Sequence, residues 1–252
     1  MKARTRFAPS PTGYIHVGNV RSALYPYLIA KQTGGDFILR IEDTDRARFV
    51  EGAEDLILDT LKWLGLDWNE GPVYGDKTKE MGDFGPYHQT ARREKYLDWA
   101  KKMIEKGLAY ADPYSPEEVE EFRKKAKLEK RAFLYRDHRP ENPPEWKIGM
   151  PLRFKTPEIK RYNWHDAVMG DLSAGPEALD DFILIKADGL PTYNFAHIVD
   201  DFEMKVTHVI RGSEYVASTP KYLSLYEALG IQPPILAHLP HILAPEGNKK
   251  LG

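Results

Sequence analysis

Residues 4–19 read RTRFAPSPTGYIHVGN, and this stretch decides the fold. Residues 4–8 have the composition of a short strand, and the prolines of the following PSPTG segment exclude a helix there. Apolar residues then recur at helical spacing from Val17 onward. In open α/β sheets, ligands bind beyond the carboxyl ends of strands, and a helix N-terminus offers free N–H groups to phosphate. The stretch therefore predicts a phosphate site. Gly18 lets a ligand approach the backbone closely there, and His16 can donate hydrogen bonds to phosphate oxygens.

A single histidine at a helix start is more often structural, so the role of His16 rests on the pattern around it. The predicted helix ends at Thr33-Gly34-Gly35 and contains Pro26, which should kink it or remove one hydrogen bond. A buried strand at 37–41 and a second helix ending at Gly65 follow. This alternation of strands and helices predicts an α/β fold with a parallel sheet.

The middle of the chain differs from its two ends in composition. Residues 83–185 contain two further predicted helices, one of them starting at Ser115-Pro116, and a proline-rich loop at 137–151. Strand-like segments return at 182–185 and 206–210. We therefore expect residues 1–82 and 186–252 to form one α/β domain, with residues 83–185 as an α+β insertion.

Composition excludes several classes of protein. The chain has 252 residues, 42% of them hydrophobic, and no cysteine, so disulfides, cysteine nucleophiles and thiolate-zinc sites are ruled out. No apolar run approaches the ~20 residues of a membrane span, and we see no secretory signal. A cytoplasmic enzyme or binding protein is the expectation.

Five motifs, in order along essentially the whole chain, resemble the signatures of class I aminoacyl-tRNA synthetases, in the version found in glutamyl-tRNA synthetases. The first is FAPSPTGYIHVG at residues 7–18, which resembles the H-I-G-H element. The others are RIEDTD (40–45), GPYHQTAR (85–92), LPTYNFA (190–196) followed by VDD (199–201), and VIRG (209–212). The resemblance implies a Rossmann-like parallel-sheet nucleotide-binding domain with an inserted α+β domain that binds the tRNA acceptor stem.

The chain departs from this family pattern at a few positions. Asn19 replaces the last histidine of the first signature, a position that varies in the family, and the zinc-binding cysteines of some relatives are missing. The final residues, NKKLG at 248–252, match the start of the second signature, K-M-S-K-S in its general form, with Lys250 as the first lysine. We therefore expect a catalytic fragment cut within that loop, without the anticodon-binding region, that binds ATP but is poorly active.

The resemblance assigns seven residues to a glutamate pocket: Arg6, Ala8, Ser10, Glu42, Tyr193, His197 and Arg211. Glutamate carries two carboxylates and one ammonium, so guanidinium and carboxylate side chains suit it. By resemblance Arg211 binds the side-chain carboxylate and Glu42 faces the ammonium. From the residues alone, alternatives stay open: surface cations for Arg6 and Arg211, a capping or solvated acid for Glu42, a core aromatic for Tyr193, and a structural histidine for His197.

The resemblance also assigns an ATP site, formed by His16, Gly18, Asn19, Glu214, Leu239, Ile242 and Lys250. His16, Gly18 and Lys250 are the expected catalytic residues, and residues 238–242 are expected to line the adenosine. The implied reaction is attack of the glutamate α-carboxylate on the α-phosphate, which depends on positioning and charge stabilisation. Mg²⁺ is expected to arrive with ATP and to keep much of its water, while no protein metal site and no structural zinc are expected.

Charge is unevenly distributed along the chain. Residues 77–139 carry 16 Lys/Arg against 12 Asp/Glu, whereas both flanking parts are net acidic. By itself this suits a solvated helical surface, but the resemblance implies an acceptor-stem contact, with Arg48, Tyr87 and Arg92 as candidate tRNA-binding residues. The expected partners are L-glutamate, ATP and a glutamate tRNA, the chain is expected to be a monomer, and no membrane is expected.

Two rival interpretations remain beside a glutamate-tRNA ligase. A shorter relative that glutamylates the queuosine base of an aspartate tRNA lacks the anticodon region, but its usual zinc-binding cysteines are absent here. A non-catalytic tRNA- or nucleotide-binding module is opposed by the presence of Arg6, His16, Glu42 and Arg211. A glutaminyl enzyme would differ at residues 8–12 and at Glu42.

Overall fold

The computed structural model describes residues 2–243. Its first part contains β1 (Arg4–Phe7), α1 (Val17–Thr33), β2 (Asp36–Leu39), α2 (Ala53–Trp63), β3 (Gly71–Val73) and β4 (Asp76–Met81). The middle contains α3 (Arg93–Glu105), β5 (Ala109–Ala111), α4 (Pro116–Leu128), β6 (Leu152–Phe154), β7 (Tyr162–Asp166) and β8 (Gly170–Ala174). The last part contains β9 (Ile183–Ile185), α5 (Tyr193–Glu203), β10 (His208–Gly212), α6 (Thr219–Leu229) and β11 (Ile235–Leu239).

A six-stranded sheet forms the centre of the molecule. Its strand order is β2-β1-β10-β11-β7-β8, and all pairs are parallel except the β7–β8 hairpin. β1 is thus paired to β2 on one side and to β10, far along the chain, on the other. A parallel sheet directs the carboxyl ends of its strands to one edge, where ligands of such folds bind. The predicted α/β class with a mostly parallel sheet is confirmed.

Helix α1 is fixed at both ends by its own sequence. The Nδ1 atom of His16 accepts a hydrogen bond from the Gly18 N–H at 3.1 Å, and the Asn19 side-chain oxygen accepts one from the His16 N–H at 3.1 Å. At the other end Gly34 has φ of 63°, the left-handed conformation that favours glycine. The helix runs unbroken through Pro26, whose carbonyl accepts a hydrogen bond from Thr5 of β1.

The region predicted as an insertion is divided between two sheets. β6 pairs with β5 on one side and with β9 on the other in a separate three-stranded sheet. β7 and β8 instead extend the central sheet, with Leu236 of β11 opposite Asp166 of β7. One apolar core also joins α3 and β6 to α5 and α6. The boundaries at 83 and 185 stay a prediction, and any division of the chain must leave β7–β8 with the central sheet.

His88 joins three elements and gives a test of stability against pH. Its Nε2 lies 3.1 Å from a Glu54 carboxylate oxygen of α2, and its Nδ1 lies 3.0 Å from a Glu80 oxygen of β4. The hydrogen bond to Glu54, together with that to Glu80, raises the pKa of His88 from 6.5 to about 9, against the lowering effect of burial.

A histidine whose pKa is higher in the folded state than in the unfolded state stabilises the fold. This stabilisation is complete below the unfolded-state pKa and is lost above the folded-state pKa. We expect the contribution of His88 to be complete below about pH 6.5 and to vanish as pH rises through about 9. After allowance for solvent screening it amounts to about 1 kcal/mol. Urea unfolding of the parent and of His88→Gln at pH 6.5 and pH 10 measures it. Equal differences at the two pH values would contradict the assignment.

Candidate active site

A cavity of about 720 Å³ opens at the carboxyl ends of β1, β2 and β10. The loop after β1, the start of α5 and the turn after β10 form its walls. It brings together nine of the residues predicted from sequence: Arg6, Ala8, Ser10, Asn19, Glu42, Arg48, Tyr193, Arg211 and Glu214. Segments separated by up to two hundred positions in the chain therefore converge on one polar site.

His16 lines a second, smaller cavity of about 240 Å³ that shares Ser10, Thr12 and Asn19 with the first. Gly18 lies beside it in the first turn of α1. A Cβ added at Gly18 would approach the His16 ring to 2.8 Å, so any larger residue would displace that ring. Because the Gly18 N–H occupies Nδ1 of His16, Nε2 is the ring nitrogen that can reach a ligand.

Arg6 is held from behind by an acidic residue of α5. Its Nε donates to Asp201 at 3.0 Å, and Arg40 donates to the same carboxylate oxygen at 2.8 Å. Burial by itself raises the pKa of Asp201, but the two guanidinium groups hold that pKa well below its ordinary value. Arg6 is only 4% exposed, so it is a buried and oriented cation and not a surface charge.

Glu42 is the buried acid of the cavity. Arg40 donates a hydrogen bond to it at 3.1 Å. Burial raises the pKa of Glu42 from 4.5 to about 7, although Arg40 and Arg6 act in the opposite direction. Near neutral pH the side chain is therefore divided between carboxyl and carboxylate, a state that a bound cation would shift towards the carboxylate.

Arg211 lies at the end of β10 with its guanidinium between two aromatic rings. Its Cζ lies 5.1 Å from the ring centre of Tyr215 and 4.8 Å from that of Tyr222. Its Nε donates to Nε2 of His238 at 3.0 Å. Within residues 2–243, no hydrogen-bond partner reaches its buried Nη1 atom. The guanidinium is thus fixed through Nε, and the described residues leave its donor at Nη1 unused.

His197 lies behind the cavity wall and not in it. Its ring stacks on Tyr193 at a centroid distance of 4.7 Å, and its Nδ1 lies 2.7 Å from the Tyr193 carbonyl. Burial, followed by the charge of Arg211, lowers the pKa of His197 to about 3, so the ring is neutral and supports Tyr193. Any effect of His197 on the glutamate pocket is therefore indirect, through its ring contacts with Tyr193 and Tyr222.

Two of the three predicted tRNA contacts need correction. Tyr87 is fully buried and donates a hydrogen bond to Glu70, and Arg92 is 1% exposed and bonds Asp200 and Glu203. Neither side chain can reach a macromolecule at the surface. Arg48, in contrast, has a side chain that is 74% exposed and pairs with Asp45 at the cavity rim.

The residues of the predicted adenosine-lining segment lie in different surroundings. Leu239 is 5% exposed and packs in the core with Ile210, while Ile242 follows β11 in irregular structure. His238, in the same segment, is fully buried beside Arg211. The prediction for Lys250 lies outside the described residues.

Sequence reasoning missed other residues that the fold brings to the site. Lys186 and Gln89 line the cavity, and Lys186 Nζ donates to the Thr44 carbonyl at 3.1 Å. The position of Lys186 directly after the predicted strand 182–185 was a signal that could have indicated it. Asp166 and His238 behind Arg211 carry no such signal, because strand pairing alone brings them together.

Neither a metal site nor a membrane span is found in the described part of the chain. Across residues 2–243, His, Asp and Glu form no group of three or more that could hold a metal ion. In the same residues, no helix combines the length and the apolar character needed to cross a bilayer.

Comparison with known proteins identifies the family. The glutamate–tRNA ligase of Clostridium botulinum (strain Hall) is 51% identical over 255 aligned residues, which cover 98% of this chain and 51% of that protein. The corresponding ligase of Clostridioides difficile (strain 630) is 43% identical, with coverage of 99% and 52%. The chain thus spans about half the length of the curated relatives it matches.

Solved structures agree with this result. The crystal structure of a glutamate tRNA ligase from Elizabethkingia meningosepticum in complex with its amino acid superposes with a TM-score of 0.90 at 42% identity, over 100% of this chain and 52% of that one. A family model described as tRNA synthetases class I (E and Q), catalytic domain, matches residues 2–251. The chain therefore belongs to the class I tRNA synthetase family of the E and Q type, as its catalytic domain.

Proposed function

We propose that this chain carries the catalytic site for ATP-dependent ligation of L-glutamate to the 3′ end of its tRNA. The observation that carries the proposal is the charge pattern of the large cavity: two buried guanidinium groups, Arg6 and Arg211, and one buried carboxyl, Glu42. This pattern complements an amino acid with two carboxylates and one ammonium. The relatives of about twice this length, named as glutamate–tRNA ligases, support the same reaction.

The proposed roles follow from position in the cavity. Arg211 binds the side-chain carboxylate, Glu42 accepts hydrogen bonds from the ammonium, and Arg6 adds positive charge beside the loop of Ser10 and Ala8. Tyr193, supported by His197, lines the same cavity. Each of these charged groups is buried and hydrogen-bonded to a further buried residue, so it is oriented before the substrate arrives.

The proposed nucleotide site is the adjoining N-terminus of α1. Asn19 lines both cavities, His16 lines the smaller one, and Gly18 lies beside them in the first turn of α1, so phosphates bound there lie next to a glutamate held by Arg211. An oxygen of the α-carboxylate attacks the α-phosphate, the phosphate–pyrophosphate bond breaks, and glutamyl-adenylate forms. The terminal hydroxyl of the tRNA then attacks the acyl carbonyl and AMP leaves. Lys250 and Glu214 complete the ATP site in this proposal, and Mg²⁺ accompanies the nucleotide.

We place the tRNA acceptor stem on the inserted region 83–185 and on the cavity rim at Arg48. The exposed side chain of Arg48 and the basic balance of residues 77–139 support this placement. The enzyme is proposed to act in the cytoplasm as a monomer.

Pyrophosphate exchange tests the proposed function. We expect the protein that contains this chain to exchange labelled pyrophosphate into ATP when L-glutamate and its tRNA are present. L-Glutamine is the matched control, because it has the same length without the second negative charge. Exchange supported equally by glutamine, or by no amino acid, would overturn the proposal, and transfer of glutamate to the queuosine base of an aspartate tRNA would favour the rival relative.

The proposed role of Glu42 predicts a pH dependence. The carboxyl with a pKa of about 7 is mostly neutral at pH 6 and mostly ionised at pH 8, and only the ionised form pairs with an ammonium. We expect L-glutamate affinity to rise by about tenfold over this interval, because the ionised fraction rises by that factor. Calorimetry on the parent and on Glu42→Gln measures it, and the variant should bind weakly at both pH values. A pH-independent affinity of the parent would refute the role.

We also propose that no structural zinc is needed. The chain has no cysteine, and the inserted region is held by apolar packing through Leu97, Ala100 and Met103 of α3. Metal analysis of purified protein is expected to find less than one zinc per chain, and a chelator should leave the thermal unfolding midpoint unchanged. One tightly bound zinc per chain would contradict this.

A further inference from the structure

Three neighbouring strands each contribute one polar residue to a cluster at the wall of the large cavity. Arg211 of β10 lies directly opposite His238 of β11 in the parallel register, and Asp166 ends β7 beside Leu236 of β11. Asp166 and His238 are both fully buried. Burial of a charged carboxylate and an imidazole costs free energy unless their polar atoms are hydrogen-bonded, so each of these atoms needs a partner.

Asp166 is fixed by backbone groups on one side. Its Oδ1 accepts hydrogen bonds from three backbone N–H groups, those of Val168, Met169 and His238, at 3.0–3.1 Å. Its Oδ2 lies 2.5 Å from Nδ1 of the His238 ring. Because all three backbone groups are donors, Oδ1 must be an acceptor, and the carboxylate can turn only Oδ2 towards the histidine.

This geometry determines the tautomer of His238. The ionised Asp166 requires the proton on Nδ1, which leaves Nε2 as an acceptor for the Nε–H of Arg211 at 3.0 Å. A second proton on Nε2 would place two donors against each other. Burial, and the charge of Arg211, lower the pKa of His238 although Asp166 raises it, which agrees with a neutral ring.

We infer that Asp166 and His238 are positioning residues that orient the guanidinium of Arg211 for the substrate side-chain carboxylate. The inference rests on the proposed function of Arg211. Nε is bonded to His238 and the guanidinium lies over the rings of Tyr215 and Tyr222, so the Nη groups remain to bind a ligand in the cavity that Arg211 lines. A guanidinium fixed in this way loses little rotational freedom when it binds a carboxylate. Asp166 and His238 therefore increase the selectivity of the site for a carboxylate over an amide.

Two substitutions of the same residue separate orientation of Arg211 from simple packing. The amide of His238→Gln reaches the place of Nε2 and can accept from Arg211, whereas the amide of His238→Asn reaches the place of Nδ1 and can bond only Asp166. Both replace the aromatic ring by an amide, and asparagine is one methylene smaller than glutamine. His165→Asn, at an exposed position of the same strand as Asp166, is the matched control.

Asp166→Asn gives an independent test through the tautomer. The three backbone donors force the amide oxygen into the place of Oδ1, so the amide NH₂ faces Nδ1 of His238 and drives its proton to Nε2, against Arg211. We expect this variant and His238→Asn each to weaken L-glutamate binding by about tenfold or more, because each leaves a buried donor without an acceptor. His238→Gln should stay within about threefold of the parent, and ATP affinity should be unchanged in all three.

The readouts are calorimetric affinity for L-glutamate, affinity for ATP, and the ¹⁵N chemical shifts of His238 in the parent protein. Equal losses in His238→Asn and His238→Gln, or an Nε2-protonated ring in the parent, would overturn the inference. The nitrogen shifts need no variant, so they decide the tautomer even if a variant does not fold. Failure of the parent to bind L-glutamate would instead refute the proposed function and leave the tautomer measurement intact.

Discussion

Arg211→Ala is expected to abolish most L-glutamate binding, with a loss of roughly 2–5 kcal/mol, the range for removal of one partner of a buried charge pair. Arg211 is 6% exposed, and its Nη1 has no hydrogen-bond partner among the described residues. Its guanidinium can therefore pair with the side-chain carboxylate of a bound glutamate. Calorimetric titration with L-glutamate measures the loss. ATP affinity should change less, because the proposed phosphate site is the N-terminus of α1, where Arg211 takes no part.

Arg211→Lys is the matched comparison for this prediction. Lysine keeps the positive charge but has no group in the place of Nε and no planar fork, so it cannot both bond His238 and present two donors to a carboxylate. Its affinity should fall between those of the parent and the alanine variant. L-Glutamate binding by Arg211→Ala within twofold of the parent would show that another residue recognises the side chain.

Asp200→Asn is expected to destabilise the fold by about 3–5 kcal/mol, the cost of breaking a buried ion pair by removing one partner. Asp200 is fully buried and accepts hydrogen bonds from Arg92 at 2.6 Å, from Gln89 at 2.8 Å and from the Tyr96 hydroxyl at 2.8 Å. An amide there leaves the charge of the fully buried Arg40 and of Arg92 undercompensated and turns one acceptor into a donor. Urea unfolding of both proteins measures the difference.

Asp98→Asn provides the control, since it makes the same chemical change at the surface. Asp98 has a side chain that is 64% exposed and pairs with Lys101 at 3.5 Å on helix α3. Exposed pairs of this kind contribute about 0–1 kcal/mol, so the variant should unfold close to the parent. A similar loss in the two variants would mean that the buried cluster has no special part in stability.

The elements that the sequence predicted best are those whose signals are local. The loop at 9–13, the capped start of α4 at Ser115 and the end of α1 at Gly34 all follow from residues adjacent in the chain. The convergence of Arg6, Glu42 and Arg211 was also predictable, because all three follow or end parallel strands, whose carboxyl ends meet at one edge.

What the sequence could not predict depends on distant pairing. Asp166 and His238 are 72 positions apart, and only the β7–β11 contact brings them behind Arg211. Arg92 was predicted to contact tRNA, yet its partners Asp200 and Glu203 come from α5, more than a hundred residues later. A sequence shows which side chains are charged, but it does not show which distant residue pairs with each charge or whether the pair is buried.

The position of β1 between β2 and β10 has a consequence for synthesis on the ribosome. The N–H of Arg4 bonds Thr207, across 203 residues, whereas the other edge of β1 pairs with β2 only about thirty residues away. At roughly 5–20 residues per second, the nascent chain holds β1 with one open edge for about 10–40 s before β10 emerges. An unpaired strand edge is a template for wrong pairing during that time. Substitutions that weaken the β1–β10 contact should therefore lower the yield of folded protein before they lower its equilibrium stability.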